Sequence, residues 1–181
     1  MRLCTLALLT ALVIAPACGG GSNSGPVGPT VAASFSPAQP SPGPKTVAMA
    51  EGSKSNDVVS VNVTLTGASG VFGAAFEVTY DAANTVYLGY AHGAAFEQGG
   101  GNPNYTVDGT TNPGRIVVGV ARTSGTGTNV SGTSTVVSFQ FRVKQSGTYP
   151  LTVVNSMVYD AQPTPQPISG VTWFAGAVTG I

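Results

Sequence analysis

The stretch Val58-Val59-Ser60-Val61-Asn62-Val63-Thr64-Leu65-Thr66 decides the fold. Successive side chains of an extended chain point to opposite faces. Val59, Val61, Val63 and Leu65 therefore share one face, and Ser60, Asn62, Thr64 and Thr66 share the other. That is a strand with one apolar and one polar side; a helical period would mix the two sets. The same alternation recurs twice. Phe72, Ala74, Phe76, Val78 and Tyr80 alternate with Gly73, Ala75, Glu77 and Thr79. Val137, Phe139, Phe141 and Val143 alternate with Ser138, Gln140, Arg142 and Lys144. Shorter candidates lie at 46–50, 85–91, 104–108, 115–122, 149–155 and 171–179. Clusters of Gly, Asn and Pro separate them, as at 67–70, 99–103 and 111–114, and predict turns. No window reads as an amphipathic helix of ordinary length. About nine strands in one domain predict an all-β fold, a two-sheet antiparallel β-sandwich of jelly-roll type.

Composition agrees. Charged residues are 8% of the 181, and seven Lys and Arg balance seven Asp and Glu. The polar positions are filled by Ser, Thr, Asn and Gln instead, the habit of an extracellular β domain. Without a basic patch, nucleic acid is excluded as a partner. The two cysteines, Cys4 and Cys18, lie in the first 18 residues, so the domain must be held by its core and not by a disulfide.

The N-terminal end has its own organisation. An apolar run, Leu3 to Ala15, follows Arg2 and ends in Ala15-Pro16-Ala17-Cys18. It is too short for a membrane span of about 20 residues and suits the core of a cleavable signal. Residues 1–17 are therefore read as a signal peptide of the bacterial lipoprotein kind, with Cys18 the acylated residue. The other reading is an ordinary secretory signal cut after Ala17. Residues 18–44 are rich in Gly, Ser and Pro and are read as a flexible tether reaching about 28 Å; Pro26, Pro29, Pro37, Pro40, Pro42 and Pro44 disfavour ladders there. The folded domain is expected over 45–181, at the surface of the cell or in its envelope, anchored to membrane through Cys18.

Three segments in order carry a family resemblance. One is Phe72-Gly73-Ala74-Ala75-Phe76-Glu77-Val78-Thr79-Tyr80-Asp81, after the strand at 58–65. The second is Gly114-Arg115-Ile116-Val117-Val118-Gly119-Val120-Ala121, and the third is Val136 to Val143, followed by Gly147-Thr148-Tyr149-Pro150-Leu151. Together they resemble a cohesin domain over about 46–181. The resemblance implies a nine-stranded sandwich related to carbohydrate-binding modules, with a dockerin as its protein partner.

Catalysis finds little support. His92, in Tyr90-Ala91-His92-Gly93, is the only histidine, and the chain lacks a G-x-S-x-G nucleophile turn. Glu51, Asp57, Glu77, Asp81, Glu97, Asp108 and Asp160 are scattered singly, so no acid–base pair is visible. Zinc would need a His and Cys cluster. Calcium would draw on Asp81 with Asn84, or on Asp108 with the carbonyls of 109–112. A turn carboxylate bonded to its own backbone is the preferred reading of Asp81. The chain is read as a non-catalytic binding module without cofactor. For a protein partner, the expected face is polar and flat, with Ser138, Gln140 and Arg142 pointing out. For the alternative, a carbohydrate-binding module acting on polysaccharide, exposed Tyr87 and Tyr105 are the stacking candidates, with Tyr90 behind them. Trp173 and Phe174 take opposite faces of one strand, and one ring should be core. A structural or adhesive envelope protein is the third reading.

Overall fold

A computed structural model describes residues 31–123 and 125–181. Ten strands and no helix form among them: β1 (Ala33–Pro37), β2 (Thr46–Ser55), β3 (Val58–Thr79), β4 (Thr85–His92), β5 (Pro103–Asp108), β6 (Arg115–Arg122), β7 (Thr128–Val143), β8 (Gly147–Asp160), β9 (Thr172–Phe174) and β10 (Gly176–Gly180). The signal peptide, Cys18 and residues 19–30 of the expected tether lie outside the described residues.

The architecture turns on β3, which is 22 residues long. Its first part, Val58–Thr66, pairs with β2 on one side and β7 on the other. Its last part, Gly73–Thr79, pairs with β6 and β8. One layer therefore runs β9-β2-β3-β7-β4, and the other β1-β10-β8-β3-β6-β5. This is the expected jelly-roll sandwich. The core lies between the layers: Val59, Val61, Val63, Leu65, Phe76, Val78, Ile116, Val118, Val137, Phe139 and Phe141 are buried. Burying whole apolar faces in this way is the main stabilising contribution. Trp173 packs its ring on Phe76, 5.2 Å between centroids, which makes it the core-side ring of its pair.

Three expectations are corrected. The turn read at 67–71 is instead a bend inside β3. Gly67 (φ 56°) and Gly70 (φ 69°) take the left-handed conformation, but they make bulges rather than a reversal, and pairing to β7 continues through Ala68↔Val130 and Val71↔Thr128. Bulges bend and twist a strand without ending it, which lets one strand serve two layers. Secondly, residues 33–37 are not tether but β1, pairing with β10 from Ala33↔Gly180 to Pro37↔Gly176. Pro37 ends the strand, where its missing N–H costs nothing. Thirdly, the segment 171–179 divides at Ala175. Trp173 and Phe174 join β2 in parallel, and Gly176–Gly180 pairs with β8 in the other layer. With β1 added, and the expected strands at 58–66 and 72–80 joined as β3, that division makes ten strands rather than about nine.

Candidate functional site

The outer face of the β2-β3-β7-β4 layer carries the sequence-predicted residues Ser138, Gln140 and Arg142. Gln140 and Arg142 are exposed and Ser138 is half-buried, while Phe139 and Phe141 between them are fully buried. The polar groups of this face largely engage one another. The Ser138 and Ser60 hydroxyls are 3.2 Å apart, the Thr66 and Thr133 hydroxyls 2.9 Å, and the Arg142 guanidinium pairs with Asp57 at 3.2 Å. At the edge, Leu88 and Gly89 share the place opposite Gln140 in a bulge of β4, leaving Leu88 40% exposed.

The outer face of the β8-β3-β6-β5 layer is different. On β6, Ile116, Val118 and Val120 point into the core, so Arg115, Val117, Gly119 and Ala121 point out. On β3, Glu77, Ala75 and Gly73 take the outward places, in register with Val117, Gly119 and Ala121. Two adjacent strands thus present Gly73, Ala75, Gly119 and Ala121 as a floor almost without side chains. Tyr159 and Pro165 rise beside it on the β8 side, and Asn104 and Thr106 on the β5 side, around a shallow depression of about 460 Å³. Apolar side chains continue the surface, with Val117 38% and Met157 45% exposed. The charges on it are held as a pair. Arg115 donates from Nε and Nη2 to the two Glu77 oxygens, at 2.8 and 2.5 Å. This fork–fork pairing lowers the Glu77 pKa and raises that of Arg115. Sequence reasoning missed this face. The signal was the run of small residues at the outward positions of two strands, where Ser, Thr or charged residues are usual.

Tyr87 and Tyr105, expected to be exposed, are half-buried. Tyr87 lies against Phe139 and Phe141, at 6.1 Å from each centroid and edge-on to both. Burial, followed by the charges of Tyr90 and Tyr80, pushes its hydroxyl up to about 12. Tyr105 turns inward and donates to the carbonyls of Gly93 (2.8 Å) and Val136 (3.1 Å), closing the seam between the layers. Burial raises its pKa as well. A stacking platform needs free ring faces, and these rings point into the seam because each holds an inward place on its strand. His92 is exposed and covers one face of Tyr105, the rings 4.0 Å apart and nearly parallel. Tyr90 stands beside it, 40% exposed and tilted by 34°.

The Asp81 carboxylate sits in the turn that the sequence suggests, and Asp108 in a second one. Asp81 accepts from the side chain of Asn84 (2.6 Å) and from the N–H groups of Ala83 and Asn84 (2.8 and 3.3 Å). These bonds, that of the Asn84 side chain first, lower its pKa. Asp108 accepts from the N–H groups of Thr111 and Thr110, and its pKa is lowered for that reason. Both are turns in which the side chain bonds the backbone two and three residues on.

The comparisons with known proteins fit this geometry. The cohesin domain model matches residues 45–180, and the chain belongs to the cohesin family. No curated protein matches the chain in sequence. Among solved structures, a type II cohesin from the cellulosome of Acetivibrio cellulolyticus superposes with a TM-score of 0.57 at 15% identity, covering 83% of this chain and 95% of that one. The seventh ScaB type I cohesin of Pseudobacteroides cellulosolvens gives 0.56 at 17% identity, over 67% of this chain and 81% of that one. The sixth cohesin of scaffoldin B from A. cellulolyticus, solved in complex with a mutant Cel5 dockerin, gives 0.52 at 22% identity, over 67% and 86%.

Proposed function

We propose that this chain is a non-catalytic module that captures a protein partner of the dockerin type on the outer face of the β8-β3-β6-β5 layer. One observation carries the reading, the floor of Gly73, Ala75, Gly119 and Ala121 between raised edges. The outer strands β8 and β5 are three strand spacings apart, about 14 Å. An α-helix with its side chains is about 10–12 Å across. The trough therefore accommodates one helix lying along the strands, and its bare floor allows close approach of an apolar helix face. The sixth cohesin of scaffoldin B, solved with a dockerin, supports a partner of that class. Export and anchoring through Cys18 complete the reading: a signal at residues 1–17, then a tether that holds the sandwich away from a membrane. Two acyl signals are needed for stable anchoring, and an acylated N-terminal cysteine supplies them. A link to polysaccharide breakdown would come through what the partner carries.

The test uses Gly119→Leu. A Cβ at Gly119 meets nothing within 4 Å, so the fold accepts the change while the side chain fills the trough. Wild type and variant are titrated calorimetrically against a panel of dockerin modules and against partners captured from secreted protein. Gly119→Leu should weaken binding at least tenfold, and Gln140→Ala and Arg142→Ala should leave it unchanged. Binding that survives Gly119→Leu and fails with Gln140→Ala or Arg142→Ala would place the partner on the Ser138–Arg142 face instead.

A further inference from the structure

The strand β1 is held by contacts that a second copy of the chain makes equally well, and we propose that two copies exchange it. Every backbone partner of β1 lies beyond the segment 38–45 that follows it. The strand pairs with β10; the Ala33 N–H donates to the Asn56 carbonyl (2.7 Å), and the Phe35 N–H to the Glu51 carboxylate (2.7 Å). Ala33 and Phe35 are buried among the core residues. Reciprocal donation keeps all of these contacts and gives a closed, two-fold dimer.

The connecting segment favours opening on two counts. Pro40, Pro42 and Pro44 prefer an extended left-handed helix, which over residues 38–45 spans about 25 Å. In the closed chain the segment folds back over β2 instead and packs loosely, leaving a cavity of about 260 Å³ between Pro37, Pro40 and Pro42 and the β2 residues Ala48 and Met49. A swapped dimer releases the fold-back and keeps the strand. The formal net charge of zero sets no long-range repulsion between copies.

The experiment uses the full chain with Cys4→Ser and Cys18→Ser, so that introduced thiols are the only ones. Ser36→Cys and Ala177→Cys are added, because these positions face each other across β1 and β10. The protein is unfolded and refolded at micromolar and at near-millimolar concentration, then examined by light scattering behind a sizing column and, after oxidation, on a non-reducing gel. Refolding at high concentration should give a species of twice the mass that becomes a covalent dimer on oxidation; dilute refolding should give monomer with the bond inside one chain. Pro40→Ala together with Pro42→Ala, which removes the extended preference of the segment, should lower the dimer fraction several-fold. Monomer at every concentration, a dimer whose bonds all lie within single chains, or a dimer fraction indifferent to the loss of Pro40 and Pro42 would each overturn the proposal.

Discussion

Removing either phenylalanine of the β7 pair should cost far more than removing the glutamine between them. Phe139 and Phe141 are both fully buried, and Gln140 is exposed. Phe→Ala at a packed site costs about 3–5 kcal/mol, from lost transfer energy and the cavity left behind. Phe141 should fall at the upper end. Its ring meets Tyr80 at 5.5 Å, Tyr87 at 6.1 Å and Phe139 at 6.4 Å, so its loss strips three aromatic neighbours of an edge contact. Gln140→Ala should stay within about 0.5 kcal/mol, as surface changes do. With a urea slope of about 2 kcal/mol/M, a loss of about 4 kcal/mol lowers the midpoint by about 2 M. The assay is equilibrium urea unfolding followed by tyrosine and tryptophan fluorescence, with the slope fitted for each variant. Equal and small losses at all three positions, or a larger loss at Gln140 than at Phe141, would refute the β7 register on which the outer face of the β2-β3-β7-β4 layer was assigned.

Other outcomes follow from the same contacts. The Tyr87 hydroxyl ionises at about 12 in the fold against about 10 unfolded, so the stabilisation it reports is complete below pH 10 and is lost as pH rises toward 12; Tyr87→Phe should flatten that loss in alkaline melts. Glu51 has its pKa lowered, first by the Phe35 N–H and then by Lys54, so its contribution is present at neutral pH and fades as pH falls below the ordinary carboxylate range. Glu51→Ala should destabilise at pH 7 by about 1–3 kcal/mol, by leaving that N–H unpaired, and the acid end of the stability curve should flatten. A Cβ on Gly109 would lie 2.5 Å from the Tyr87 ring, so Gly109→Ala should cost about 1–3 kcal/mol by overpacking and lower the melting temperature. Cys18→Ser should move the protein from the membrane to the soluble fraction, read by fractionation and by the mass of the N-terminal peptide.

The strand period and the layer each residue faces were legible because alternation is written locally. Val59 to Leu65 and Val137 to Val143 point where their spacing says. What failed depended on non-local partners. Gly67 and Gly70 look like turn formers in any window, and only the unbroken line of β7 beside them makes them bulges. Residues 33–37 read as part of a proline-rich tether because their pairing partner, β10, stands more than 130 residues away in sequence. Tyr87 and Tyr105 carried no local mark of which edge of the sandwich they close. The small-residue floor was visible as four letters on two strands, Gly73, Ala75, Gly119 and Ala121, but it becomes a surface only when the register sets those strands side by side.

The two-layer membership of β3 bears on how the molecule comes apart. Because β2 and β7 flank one end of it and β6 and β8 the other, neither layer can open along β3 without removing partners from the other. Its amides should therefore exchange with solvent deuterium only in rare events that melt the whole sandwich, while those of the short outer strands β5 and β9 exchange by local fraying. A molecule built on such a shared spar has no half-folded form in which one sheet survives. It yields in a single step, and the trough for a partner vanishes together with the core.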